Sequence, residues 1–308
     1  MTDDELNAMG PALQQLVWAD WRQREKLQQY GVNLVPANFY SNTPSIAEVQ
    51  SSYEYAPGEP PYLDPAIFDA PRLREELAAL VPLTQDFDPP RDDDPQTCRA
   101  YFWTNGQFAY SDSMTYYAQL RRLRPANVVE IGSGFSSLVA LEALRRNGSG
   151  RLRCIEPFPR PFVTALANEG ALDLDLSRAQ DVTPDALDAL LQDGDVLFID
   201  STHTVKTGSD CLHIYLRLLP KIRKRVFVHV HDVFLPFGLP QKWLLESQIY
   251  WTEQYLLLAF LTDNPRTKLL YGSAYHDHYN ADLLGQLMHG RFPSAGGGSF
   301  WFEYDGRR

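Results

Sequence analysis

Cysteine is scarce in this chain: three in 308 residues, Cys98, Cys154 and Cys211, widely spaced and forming no Cys-x-x-Cys pair. A disulfide framework and a zinc knuckle are thereby excluded as organising devices, and the thiols read as buried or half-buried. Basic charge is short as well, 28 Lys and Arg against 39 Asp and Glu, for a net charge of -11. Such a field repels polyanions and argues against a nucleic-acid partner. The densest basic stretch, KIRKR at 221–225, reads as a solvated turn before a strand. Long apolar runs are missing too: nothing approaches the ~20 residues of a membrane span, so no membrane partner is expected. The acidic start MTDDELNAMG lacks the basic, apolar, small-residue order of a secretory signal. The expected setting is therefore soluble and, most simply, cytoplasmic.

What is present divides by texture. Residues 1–110 combine a helix predicted over 4–29 with proline- and tyrosine-rich passages such as YEYAPGEPPYLDP (53–65) and DFDPPRDDDP (86–95). Proline at that density forbids long helices and central strands, so this part is expected to be an extension of loops and short helices, covering a substrate pocket. From 111 to 308 the pattern turns to alternating strand and helix. Strands are predicted at 127–131, 151–155, 174–179, 195–199 and 226–230, with helices at 112–124, 136–148 and 208–219. TKLLYG (267–272) and GGSFWFEY (297–304) read as a final antiparallel pair, separated by a loop carrying the polar HDH at 276–278. The sum is an α/β domain with a doubly wound, seven-stranded, mainly parallel, Rossmann-like sheet and an N-terminal helical and irregular extension.

In such a sheet, ligands bind beyond the strand carboxyl ends, where the strand order reverses. VVEIGSGFSS (128–137) puts Gly132 and Gly134 there, where a sharp turn and close backbone approach are needed, and opens a helix near Ser136 with free N–H groups. Glu156 ends the next strand, 26 residues after Glu130, about the offset at which a carboxylate holds an adenosine ribose. An NAD(P)-dependent oxidoreductase shares both features, but Ser137 occupies the place of the third glycine of its fingerprint. A non-catalytic cofactor-binding protein is the other alternative.

With EIGSGFSS (130–137), IEPFP (155–159), AQDV (179–182), LFIDSTH (197–203) and HVHD (229–232), the chain resembles the class I S-adenosylmethionine-dependent methyltransferases over roughly 110–304. Asp-x-x-His after the fourth strand, Asp210 on the next helix and His-Asp after the fifth are similar to a subgroup containing many small-molecule methyltransferases. The resemblance implies S-adenosyl-L-methionine as cofactor. The loop of Glu130, Gly132, Ser133, Gly134 and Ser136 would then wrap its methionine part, Glu156 hold the ribose, Gln180 and Asp181 face the adenine, and Asp200 stand beside it. It also implies transfer to a small-molecule acceptor, an oxygen nucleophile before a nitrogen one, and leaves a homo-oligomer open. It assigns nothing to the first 110 residues.

Methyl transfer needs an in-line nucleophile, excluded water and a group that makes the nucleophile electron-rich. Candidates gather at two strand ends: Asp200 and His203 after the fourth, and His229, His231 and Asp232 at the fifth. Strand alternation puts His229 and His231 on one face, so one of them is expected to be structural. His203 or His231, oriented by Asp200 or Asp232, would serve as general base. In metal-dependent catechol-type relatives the corresponding acids bind a divalent cation. Their counterparts here are Asp200, His231 and Asp232, and the histidine suits manganese, iron or zinc better than magnesium. The loop DVFLPFGLPQKW (232–243) and the tyrosines of YSDSMTYY (110–117) are expected to wall the acceptor pocket.

Overall fold

The apolar runs predicted as strands lie side by side in one sheet. A computed structural model describes residues 1–291 and 296–308, and of Tyr110 the backbone alone. The chain opens with α1 (Asp3–Val17), α2 (Trp21–Gln28), α3 (Ile46–Gln50), α4 (Ala70–Leu80) and α5 (Tyr110–Leu123). It continues through β1 (Asn127–Ile131), α6 (Phe135–Asn147), β2 (Arg151–Ile155), α7 (Pro161–Asn168), β3 (Asp173–Asp175), α8 (Pro184–Leu190) and β4 (Val196–Ile199). Then come α9 (Asp210–His213), β5 (Arg225–Val230), α10 (Gln241–Glu246), α11 (Glu253–Leu261), β6 (Thr267–Gly272), α12 (Ser273–Tyr279), α13 (Ala281–Met288) and β7 (Phe300–Asp305).

The strand order is β3-β2-β1-β4-β5-β7-β6, with β7 antiparallel to both its neighbours and the other pairings parallel. Because β1 and β4 are central and covered on both faces, every residue in them is buried, which is why NVVEI and VLFI show little polar alternation. Successive side chains feed two cores. Val128, Val196 and Phe198 pack with Tyr116 of α5 and Leu138 of α6; Val129, Ile131, Leu197 and Ile199 pack with Leu187 of α8 and Leu257 of α11. The order reverses between β1 and β4, so the loops leaving these two strands part and open a crevice.

The first 110 residues are of two kinds. Helices α1 and α2 bury nothing, and Leu6, Met9, Trp18 and Trp21 are exposed. By contrast Ile67, Phe68 and Leu73 belong to one core, and Leu77, Phe87, Tyr101 and Trp103 to the other. The helix expected over 4–29 is broken at Trp18–Asp20, where the Asp20 carboxylate caps α2 by accepting from the N–H groups of Arg22 and Gln23. The expected third strand stops at Asp175, whose carboxylate accepts from Ser177 N–H and turns the chain. The helix expected over 208–219 is α9 followed by a π-helical stretch at 214–218. No simple loop joins β6 to β7: HDH lies in α12, with His276 buried against Asn280, and α13 buries Leu283, Leu284, Leu287 and Met288. Among the described residues no helix is long and apolar enough to cross a membrane.

Candidate active site

Two clefts open at the carboxyl ends of β1, β4 and β5. The first, of about 370 Å³, lies over the loop after β1. Gly132 sits at φ +86°, and a β-carbon there would stand 1.8 Å from the carbonyl oxygen of Asp200, so glycine alone lets the β1 and β4 ends approach this closely. Gly134 differs: its φ is not positive, and a β-carbon would meet nothing nearer than 3.9 Å. Its lack of a side chain leaves the cleft floor as bare backbone. Glu156 accepts from the N–H groups of Ser133 at 3.2 Å and Phe158 at 2.7 Å, which fixes its carboxylate between two loops.

Gly132, Ser133, Gly134, Ser136, Glu156 and Asp200 all line this cleft. Glu130 does not. It is buried beneath the loop, accepting from Ser137 Oγ at 2.5 Å and Tyr116 Oη at 3.0 Å, and burial pushes its carboxyl up to about 7. Gln180 and Asp181 also lie outside the lining. Gln180 donates to the Gly208 carbonyl at 3.2 Å, and Asp181 pairs with Arg178 at 2.8 Å.

The second cleft, of about 760 Å³, is walled by Trp103, Phe234, Trp243 and Trp251 and floored by Asp112, Asp200, His231 and Asp232. Phe234 and Trp243 come from the loop expected to supply a wall. Tyr116 and Tyr117 do not: Tyr116 stacks on Phe198 in the core and Tyr117 bonds Asp86, while the side chain of Tyr110 lies outside the described residues. Asp200 and Gln107 line both clefts, which therefore meet at these two side chains.

Two histidines converge on Asp200 and Asp232, His231 within the cleft lining and His203 outside it. His203 Nε2 stands 3.2 Å from Asp200 Oδ1 and 3.6 Å from Asp232 Oδ2. His231 Nδ1 is 3.5 Å from each of the same two oxygens and makes no hydrogen bond, although His231 is only 3% exposed. His203 and Asp232 hold φ of +57° and +56°, a strained state of the kind that collects at functional sites. Asp200, His231 and Asp232 present donor atoms within 4.8 Å of one another, and with the orphaned His231 nitrogen this set fits a divalent cation.

Two further carboxylates escaped the sequence reading. Glu253 of α11 accepts from His203 Nδ1 at 2.8 Å and from Tyr215 Oη at 2.9 Å. Asp112 of α5 accepts from His231 Nε2 at 3.2 Å, Ser273 Oγ at 2.9 Å and the N–H groups of Gly298 and Ser299. Gly298 packs so close that a β-carbon would meet the Asp232 Cα at 2.7 Å. The available signal was a lone carboxylate in a mainly uncharged run, YSDSMTYYAQL and EQYLLLAFL. His229 is the structural histidine of the pair: it bonds Ser299 Oγ at 2.8 Å and stacks on Trp301 at 4.3 Å. Asp210 is likewise structural, accepting from the N–H and hydroxyl of Thr202.

The charges follow from these contacts. Burial works against an ionised Asp200, but His231 and His203 outweigh it and hold the carboxyl well below the usual carboxylate range. Burial likewise opposes a charged His203, yet Asp200 and Glu253 push it up to about 10. His231 is raised well above its ordinary value, against burial, by Asp232, Asp200 and Asp112. Asp112 is lowered despite burial by its bond to His231. His229 is driven well below its ordinary value, first by burial and then by the charge on His231.

A family model described as a methyltransferase domain matches residues 129–233, from β1 through the His231–Asp232 pair. Over these residues the chain is similar to a methyltransferase domain. The sheet order, with β7 antiparallel between β5 and β6, is that of a doubly wound, Rossmann-like fold. An uncharacterized protein of Archaeoglobus fulgidus is 29% identical over 166 residues, 49% of this chain and 74% of its own. Among solved structures, the chain is similar to the O-methyltransferase TomG of Streptomyces achromogenes, which was crystallised with SAM. That match has a TM-score of 0.41 and 17% identity, covering 75% of this chain and 89% of that one. An O-methyltransferase from Bacillus cereus in complex with SAH matches at a TM-score of 0.40 and 14% identity, covering 78% and 96%.

Proposed function

We propose that the methyltransferase domain moves the methyl group of S-adenosylmethionine to an oxygen of a small-molecule acceptor. The observation carrying this reading is the meeting of the two clefts at Asp200 and Gln107. A cofactor over the glycine loop and an acceptor over the acid–histidine floor would face each other there. The acceptor oxygen attacks the methyl carbon in line, the carbon–sulfur bond breaks, neutral S-adenosylhomocysteine leaves, and the hydroxyl proton passes to the floor.

In this reading the bare backbone of Gly132, Ser133 and Gly134 and the helix start at Ser136 receive the methionine part, and Glu156 accepts from the ribose hydroxyls. Gln180 and Asp181, outside the lining, are given no contact with the cofactor. The tryptophan walls exclude water and suit a flat, partly apolar acceptor. His203 or His231 takes the hydroxyl proton, steadied by Asp200 and Asp232. A divalent ion on Asp200, His231 and Asp232 would hold the acceptor oxygen and lower its pKa.

Isothermal titration of cofactor-stripped protein with S-adenosylmethionine and, in parallel, NADH tests the reading. The expected result is binding of the sulfonium cofactor alone, weakened roughly tenfold or more by Glu156→Ala, as for a lost charge-assisted bond. Binding of NADH in its place overturns the proposal.

A further inference from the structure

Among the described residues, the lining of the glycine-loop cleft carries a single basic side chain. Its charged members are Glu156, Asp200 and Arg160, so a chain with 39 acidic and 28 basic residues keeps a guanidinium at this point. Arg160 follows Glu156 in the loop from β2 to α7. Its guanidinium lies over the Phe135 ring, 5.0 Å from the centroid, and donates from Nη2 to Gln107 Oε1 at 2.5 Å. The atom nearest to a β-carbon placed on Gly134 would be Arg160 Nε, at 3.9 Å, so the planar head stands beside the bare backbone of the loop.

What Arg160 lacks is an acid. Among the described residues no carboxylate lies within ion-pair distance of it, whereas Arg99 is matched by Glu169, Arg178 by Asp181 and Arg225 by Glu303. Glu156 lines the same cleft yet gives its carboxylate to backbone, Oε2 to the Ser133 N–H and Oε1 to the Phe158 N–H. The amide oxygen of Gln107 orients the guanidinium and leaves its charge uncompensated. A guanidinium offers a flat fork of N–H donors that matches a carboxylate two bonds at a time. Phe135 and Ser136, which open α6, line the same cleft, so the positive end of that helix adds to the preference for an anion.

We propose that Arg160 receives the carboxylate of the cofactor's methionine part, with Gln107 as its positioning residue. This rests on the reading of the first cleft as the S-adenosylmethionine site and adds a recognition residue from outside the glycine loop. Backbone N–H groups alone follow the shape of an amino-acid tail. A guanidinium makes the tail's negative charge a requirement for tight binding. Gln107 lines the acceptor cleft as well, so its bond to Arg160 ties the cofactor's tail to the place where the two clefts meet.

The test compares S-adenosylmethionine with decarboxylated S-adenosylmethionine by calorimetric titration of the full-length protein. The decarboxylated ligand is the more positive of the two, so the field of a chain with a net charge of -11 favours it, and a preference for the carboxylated one has to come from local contacts. The unaltered protein is expected to bind S-adenosylmethionine roughly ten- to a hundredfold more tightly. Arg160→Ala should weaken S-adenosylmethionine by about that factor and leave the decarboxylated ligand within about threefold, which removes the preference. Arg160→Lys, with the charge but not the fork, should restore part of it, and Gln107→Ala should lower it by less than Arg160→Ala does. Equal affinities for the two ligands in the unaltered protein, a measurement that needs no variant to fold, overturn the assignment. So does a preference that survives in folded Arg160→Ala, or a loss of both ligands alike, which would make Arg160 a strut between Phe135 and Gln107. In each of these cases binding of S-adenosylmethionine to the unaltered protein leaves the cofactor reading standing; failure of the folded, unaltered protein to bind either ligand sinks that reading as well.

Discussion

The two clefts share Asp200 and Gln107 yet are built by opposite means. The glycine-loop cleft is mostly backbone from neighbouring residues: Gly132 to Ser136 form its floor, and Glu156 is held by two N–H groups rather than by distant side chains. The acid–histidine cleft is mostly side chains drawn from separate stretches, with Asp112 from α5, Asp200 after β4, His231 from the β5 end and Trp243 from α10. A backbone site tolerates changes of side chain wherever the chain geometry is ordinary. A side-chain site carries buried charge that must stay balanced.

The sharpest way to break this contrast is at the glycines. Gly132→Ala drives a β-carbon into the Asp200 carbonyl at a positive φ and is expected to cost about 4 kcal/mol or to prevent folding. Gly134→Ala should change stability by less than about 0.5 kcal/mol while weakening cofactor binding, because its β-carbon enters open cleft. Denaturant unfolding and calorimetric binding of both variants decide it; equal destabilisation would mean the loop is a structural turn throughout.

On the side-chain cleft the largest expected effect is from Glu253→Gln, which leaves a buried imidazolium short of a partner and should cost about 3 kcal/mol in metal-free protein. The same imbalance gives a pH signature. His203 is raised from about 6.5 unfolded to about 10 folded, so its contribution is fully present below about pH 6.5 and is lost as pH rises toward 10. Asp112 and Asp200 are lowered, so theirs is present above about pH 3.9 and is lost on acidification. The urea midpoint in EDTA should therefore fall between pH 7 and 10, and His203→Gln should flatten that slope. A slope left unchanged by the substitution would assign it to His231, which is also raised.

The same difference decided how much could be read from the sequence. NVVEI, RLRCI and the β6 run TKLLYG were visible because a buried strand is a short local apolar run, and the glycine loop because its residues are contiguous. His203, His231 and Asp232 were visible because they closely follow strands in the sequence. Asp112 and Glu253 were not, since what ties them to the histidines is a partner 119 residues away for Asp112 and 50 for Glu253. The helices α12 and α13 were missed because the polar HDH masked the apolar face beginning at Leu283. The Asp175 turn ended a strand that the apolar alternation alone would have continued.

Glu130 offers a smaller test from beneath the glycine loop. Its carboxyl is raised to about 7 against about 4.3 unfolded, so the folded state holds its proton more tightly and stability falls as pH rises through that window. Glu130→Gln should add about 1–2 kcal/mol at pH 8 and almost nothing near pH 4, provided Ser137 and Tyr116 keep their acceptor. Equal effects at both pH values would mean that packing, and not ionisation, sets the cost.

The smallest effect is expected from the arm that neither cleft uses. Helices α1 and α2 bury no residue, and neither cleft is lined by anything before Trp103. The first buried residue of the chain is Val49, and from Ile67 on the extension feeds the two cores, so residues 1–35 contribute to neither. Removal of residues 1–35 should shift the unfolding midpoint by less than about 0.5 kcal/mol and leave cofactor and metal affinity unchanged. A marked loss of either affinity would show that the arm's exposed Trp18 and Trp21 reach a cleft in solution, and that the side-chain site gathers one more distant segment than those in contact with it here.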